Sequence, residues 1–231
     1  MFDISPAEWT AILLSLRVAV IATLVATPFG IALAWLLARH DFWGKSVLDA
    51  LVHLPLVLPP VVTGYLLLLT FGRRGMVGAW LADNFGIVFA FRWTGAALAC
   101  GVMSFPLLVR PIRLSIEAID RRLEQAASTL GAAPWRVFAT VTLPLALPGI
   151  LAGMVLGFAK AIGEFGATIT FVSNIPGETQ TISSAIYSLI QTPDGDTAAA
   201  RLVLISIVIA MGALIASEAF ARRATKRLHG N

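Results

Sequence analysis

Along this chain the apolar residues come in long runs, separated by short polar or basic stretches. No Asp, Glu, Lys or Arg lies between Val18 and Ala38, and none between Ala50 and Phe71. Thr94–Val109 and Leu202–Ser217 are shorter runs flanked by arginine or glutamate, and Gly149–Ala159 sits inside a longer one. A helix needs roughly 20 apolar residues to cross about 30 Å of hydrocarbon. The pattern therefore predicts five spans, at about 11–38, 48–71, 93–113, 148–171 and 200–220. Two further uncharged stretches, Phe165–Gly177 and Thr179–Pro193, are too short to cross alone. The second predicts an outer, partly buried helix or re-entrant piece, and it leaves room for a sixth span. One region departs from this pattern. Ile116, Ile119, Leu123, Ala127 and Leu130 recur at steps of three and four, while Glu117, Asp120, Arg121, Arg122 and Glu124 take the positions between. That is the period of an amphipathic helix.

Composition confirms the class. The chain is 58% hydrophobic and 13% charged, with a mean hydropathy of +0.84, whereas a soluble domain carries about 25% charged residues. The expectation is an all-α, polytopic membrane helical bundle, one domain over residues 1–231 with its core at about 10–220. The first run does not read as a cleavable leader, because residues 1–10 contain Asp3 and Glu8 but no Lys or Arg. Cys100 is the single cysteine, so no disulfide forms within the chain.

The net charge of +4 changes the picture through its distribution, which argues against nucleic acid as a partner. Arg39 and Lys45, then Arg110, Arg113, Arg121, Arg122 and Arg136, then Arg222, Arg223, Lys226 and Arg227 all fall on one side of the predicted spans. The other side holds only Arg73, Arg74, Arg92 and Arg201. Basic loops face the cytoplasm, which predicts an outside N-terminus, a cytoplasmic C-terminus and a cytoplasmic amphipathic stretch. Trp9, Trp43, Trp80 and Trp93 stand near span ends, as an aromatic belt would. Arg73 and Arg74 run against the rule, either as snorkelling cations or as an outer rim that attracts anions or a partner.

Candidate chemistry is concentrated in three places. Pro55, Pro59 and Pro60 interrupt the second span. Each proline removes a backbone donor, and broken backbone at membrane depth needs protein or a water-filled cavity around it. The reading is either a packing kink or a discontinuous helix lining a transport path; Pro106 and Pro111 suggest the same, more weakly, for the third span. On the fourth, Gly149, Gly153 and Gly157 make a small-residue stripe for close helix approach. Lys160 and Glu164 continue its arc, about 18 Å deep for a span begun at Pro148 at about 1.5 Å per residue. They read equally as a structural ion pair or as a pathway or gate pair. In the amphipathic stretch, Gly131 terminates one helix and Pro134 starts the next, forming an element suited to a groove on a soluble partner or to the membrane surface. His40, His53 and His229 are scattered without metal-ligand spacing. Gly44-Lys45-Ser46 has the tail of a phosphate-binding loop, but Arg39 stands where its first glycine belongs. No metal, cofactor or ATPase site of the chain's own is expected.

The residues Gln125-Ala126-Ala127, Gly131, Val141 and Leu143-Pro144 resemble the EAA loop of type I ABC importer permeases. The common form opens on an acidic residue and has isoleucine at the Val141 position; here Glu124 directly precedes Gln125. The resemblance covers about residues 10–220. Within it HLPLVLPPVVTGYLLLL, GRRG, SFPLLVR and GEFGATITFVSNIPGETQTI are similar to the molybdate-transporter permeases. It implies a multi-pass permease of the bacterial inner membrane, acting as a homodimer with its pathway at the interface. Two copies of a separate ABC ATPase would dock on a cytoplasmic helix-turn-helix at about 114–144. Its docking helix lies at about Glu117–Gly131, and the loop residues are Glu124, Gln125, Ala126, Ala127, Gly131, Leu143 and Pro144. An external binding protein would deliver the oxyanion, with Pro55, Pro59, Pro60, Lys160 and Glu164 as pathway or gate candidates. Tungstate, sulfate or thiosulfate, and phosphate are the rival cargoes. A membrane-embedded enzyme lacks a cluster of reactive side chains, and a structural anchor needs neither a broken span nor intramembrane charge.

Overall fold

The computed structural model describes residues 4–228, with side chains through Ile215; the basic tail residues Arg222, Arg223, Lys226 and Arg227, together with Asp3 and His229, lie outside the described side chains. Among the described residues every regular element is helical. The first helix, α1 (Pro6–Arg39), is opened by a reciprocal cap: Ser5 Oγ accepts from the Glu8 N–H at 3.3 Å, and Glu8 accepts from the Ser5 N–H at 2.6 Å. Its 34 residues extend about 51 Å at about 1.5 Å each, well beyond the hydrocarbon. Next come α2 (Lys45–Val57), α3 (Pro60–Phe71) and α4 (Met76–Phe85), then α5 (Trp93–Glu117). A short α6 (Arg121–Thr129) and one turn, α7 (Pro134–Val137), lead through a π turn at Phe138–Thr142 into α8 (Leu143–Ile162). The chain closes with α9 (Gly166–Val172), α10 (Ile182–Leu189) and α11 (Asp196–Leu228).

Four helical segments are long and apolar enough to cross a membrane, and the pair α2–α3, bent by 115°, makes a fifth crossing if counted as one span. The core is α1, α5 and α8 packed along their lengths. Small residues permit this. A Cβ on Gly153 would stand 2.5 Å from the Leu108 carbonyl, and one on Gly149 would strike Ser115. The glycine stripe of α8 therefore lies directly against α5. Contacts define two ends of the bundle. At one, Arg201 of α11 grips Glu8 of α1 at 3.0 Å; at the other, Arg113 of α5 holds Asp49 of α2 at 2.9 Å.

Two expectations change, and the alternative of a sixth span falls away. The fourth span, expected at 148–171, starts at Pro134 and ends at Ile162, because Gly163 leaves the helix and Glu164 turns back to cap α9. The amphipathic period from Ile116 to Leu130 is not one helix. Asp120 accepts from the Arg122 N–H at 2.9 Å and starts α6 afresh, so Ile116 and Ile119 are buried while Leu123 and Leu130 are exposed. The stretch after Glu178 becomes the short α10 packed on α1 and α11, and no sixth span occurs among the described residues. Helix α4 had no counterpart in the reading of the sequence. Trp9, Trp43 and Trp80 are exposed as a belt requires, whereas the Trp93 ring is covered by the Arg17 guanidinium at 3.8 Å.

Candidate functional site

Helix α6 buries no residue. Nine residues of free helix are marginal in water, so its position depends on its ends. The C-terminal end is a Schellman turn: Ala132 N–H donates to Ala127 O at 3.2 Å, Gly131 N–H to Ser128 O at 3.0 Å, and Gly131 takes φ +85°. Pro134 then opens α7. The remaining anchor is Glu124. Its carboxylate meets Arg39 Nε at 3.0 Å and accepts from Thr142 Oγ1 at 2.6 Å, while Arg39 Nη2 also donates to Ile119 O at 3.3 Å. One side chain thus ties α6 to the end of α1 and to the π turn. The Arg39 and Glu124 side chains are 9% and 17% exposed, shielded enough for the pair to matter. The π turn, a geometry often found at functional positions, places Thr142 on that carboxylate.

Of the other residues in the motif, Gln125 and Ala126 are exposed and Ala127 is half-buried. Leu143 packs against the α1–α5–α8 core, and Pro144 stands in the first turn of α8. Among the polar and charged residues that α6 and α7 leave uncovered stand three large apolar ones: Leu123 is 50% exposed, Leu130 89% and Trp135 69%. Arg113 bridges Asp49 at 2.9 Å and Glu117 at 2.8 Å, fixing the start of α2. The Arg113–Asp49 pair joins residues 64 apart in sequence, which local spacing did not announce, whereas Arg113–Glu117 is an ordinary i,i+4 helix pair.

The second region lies deeper. Pro59 caps α3 and Pro60 is its first residue, so the chain turns between α2 and α3. Pro55 stays inside α2 without breaking it, and the Leu58 N–H still reaches Leu54 O at 3.0 Å. The second break, at Gly163–Phe165, faces the first. A Cβ on Gly166 would stand 2.7 Å from Pro60 Cβ, and one on Gly64 would stand 2.5 Å from Ala167 O. Two interrupted helices therefore meet backbone to backbone. Lys160 Nζ and Glu164 Oε2 are 2.6 Å apart, with the lysine side chain 28% exposed and the carboxylate 1%. The other glutamate oxygen accepts from Ala167 N–H at 3.0 Å. Glu164 is thus the joint itself: it pairs with α8 and caps α9. Thr63 Oγ1, buried on α3 beside this contact, has no hydrogen-bond partner. The structure brings Pro59, Pro60 and Glu164 to this paired break, with Lys160 bonded to Glu164, and sets the EAA-like residues at the Arg39 end of the bundle.

No group of three or more His, Cys, Asp or Glu able to hold a metal occurs among the described residues.

Comparison with known proteins agrees with this architecture. The "Molybdenum transport system permease protein ModB" of Escherichia coli K12 is 64% identical over 95% of this chain and 96% of its own length. That of Haemophilus influenzae is 58% identical over 96% of each. A solved bacterial alginate ABC transporter, in complex with an alginate pentasaccharide-bound periplasmic protein, superimposes with TM-score 0.75 at 22% identity, covering 96% of this chain and 81% of its own; it shares the fold. A family model described as "Binding-protein-dependent transport system inner membrane component" matches residues 26–226. The chain belongs to that family, the membrane components of binding-protein-dependent transport systems.

Proposed function

We propose that this permease carries molybdate inward across the bacterial inner membrane, as the membrane subunit of an ABC importer. The observation that carries the reading is the high identity, over nearly the full length of both chains, to two molybdenum permeases. The N-terminus lies outside and the α6 end faces the cytoplasm, which the basic residues Arg39, Lys45, Arg113, Arg121, Arg122 and Arg136 support. ATP hydrolysis belongs to a separate subunit, two copies of which dock on the exposed Leu123, Leu130 and Trp135 of a homodimeric permease. An external binding protein hands over the oxyanion at the opposite end.

In this mechanism, closure of the ATPases pushes α6. Glu124 passes the motion directly to α1 through Arg39 and to α8 through Thr142. The paired breaks at Pro59–Pro60 and Gly163–Glu164 are the gate, where backbone freed from helix lines the path. Lys160 supplies positive charge to that region, and its pairing with Glu164 keeps the attraction weak enough for the anion to leave. The test is reconstitution of permease, ATPase and binding protein in proteoliposomes, supplied in turn with molybdate, tungstate, sulfate and phosphate. ATP-driven uptake of molybdate is expected. Uptake of sulfate or phosphate without molybdate would refute the cargo and leave the importer class intact.

A further inference from the structure

An apolar groove of about 680 Å³ lies along α1 and α5, with Leu51, Val52 and Pro55 of α2 also in its lining. Its walls are two stripes at i, i+4 spacing: Ile21, Val25 and Phe29 on α1, and Ala97, Gly101 and Phe105 on α5. Small residues on α5, Ala97 and Gly101, make it concave; a Cβ on Gly101 would rest on Ala22 at 3.8 Å, in ordinary contact. The α1 stripe continues one step further up to Arg17, whose guanidinium sits over Trp93, itself part of the groove. Arg17 is exposed, and none of the ion pairs among the described residues includes it.

We propose that this groove holds one acyl chain of a phospholipid, whose phosphate is bound by Arg17 at the mouth. Length and charge both favour this occupant. Arg17 to Phe29 is about 18 Å along the helix at about 1.5 Å per residue, close to one leaflet of a hydrocarbon core about 30 Å thick. A transmembrane helix from a second copy would need the whole thickness, well beyond this length of groove. Trp93 is the first residue of α5, so the mouth stands at the membrane boundary, where tryptophan is favoured. A guanidinium held 3.8 Å over that ring keeps donors free for a phosphate diester, an acceptor that arginine matches well.

Native mass spectrometry of the assembled transporter, extracted in mild detergent, tests this. Retained phospholipid is expected on the unmodified permease. Loss is expected in Arg17→Gln, which removes the phosphate contact, and in Val25→Trp, which fills the groove from a side chain already 58% exposed. Both changes are at the surface, and a thermal-unfolding curve shows whether each variant still folds. Added phosphatidylglycerol should raise the unfolding temperature of the unmodified complex and not of either variant. Phospholipid absent from the unmodified complex, or retained equally by both variants, would overturn the proposal. So would disulfide crosslinking between two copies through Val25→Cys in a Cys100→Ala background, since the groove would then be filled by protein.

Discussion

The pair Lys160–Glu164 gives the sharpest quantitative test, because its two members are not equivalent. Glu164 is 1% exposed in its side chain and Lys160 28%. Lys160→Met leaves a buried carboxylate with only the Ala167 N–H as partner. Removing one member of a buried pair costs roughly 3–5 kcal/mol, and each 1.4 kcal/mol is about tenfold in an equilibrium constant. The single variant should therefore lose on the order of two to three powers of ten in folding or assembly. Glu164→Gln is gentler. Its amide oxygen can still accept from Ala167, and the lysine, already part-exposed, can turn toward water, so about 1.5–3 kcal/mol is expected, the contribution of one hydrogen bond to a charged group. The double variant Lys160→Met with Glu164→Gln should be more stable than Lys160→Met alone. Thermal unfolding of the purified permease in detergent measures the stability order, and reconstituted uptake measures function. If Lys160→Met proves as stable as the double variant, the buried carboxylate is not what the lysine compensates, and the reasoning fails. If the double variant folds well but transports poorly, the lysine has a role on the path beyond structure.

Three further outcomes follow from the geometry. Gly131→Val forces a left-handed position that costs a Cβ-bearing residue about 1–2 kcal/mol; no atom lies within 4 Å of the new Cβ, so insertion should survive while ATPase stimulation by loaded binding protein is lost, and normal uptake would disprove the coupling role. Glu124→Ala should release α6 from α1 and the π turn and uncouple ATP hydrolysis from uptake, with Glu124→Asp partly restoring it; unchanged coupling in both would count against the clamp. In a Cys100→Ala background, Arg122→Cys should label only from the cytoplasmic side and Glu178→Cys only from outside, and reversed labelling would invert the orientation.

What the sequence disclosed depended on the range of the forces involved. Spans follow from unbroken apolar runs, and the break at Pro59–Pro60 follows from prolines lacking an N–H, so both were legible. The end of α8 was not. The run from Pro148 to Val172 is apolar on either side of the joint, and the helix ends where Gly163 leaves it and the Glu164 carboxylate folds onto Ala167. The same holds for Ile116–Leu130, where a continuous period hid the restart at Asp120. Gly131 was readable because its signal is local. The Arg39–Glu124–Thr142 clamp joins three separate segments of the chain, and a single sequence gives no cue that they meet.

The contact between α3 and α9 carries a mechanical consequence. Gly64 on Ala167 and Gly166 on Pro60 leave only the Pro60 ring and the Thr170 Cβ at the contact, so these short helices have no layer of long side chains through which to slide and would turn together. Two corners connect that unit to the rest of the bundle. The one at Pro59–Pro60 has both its φ angles fixed by proline rings, which makes it a stiff elbow. The one at Gly163–Phe165 has a glycine and one carboxylate holding it. A rotation of the unit would therefore be taken up at this second corner, and it would have to break one of the two contacts that Glu164 makes there, to Lys160 or to the Ala167 N–H.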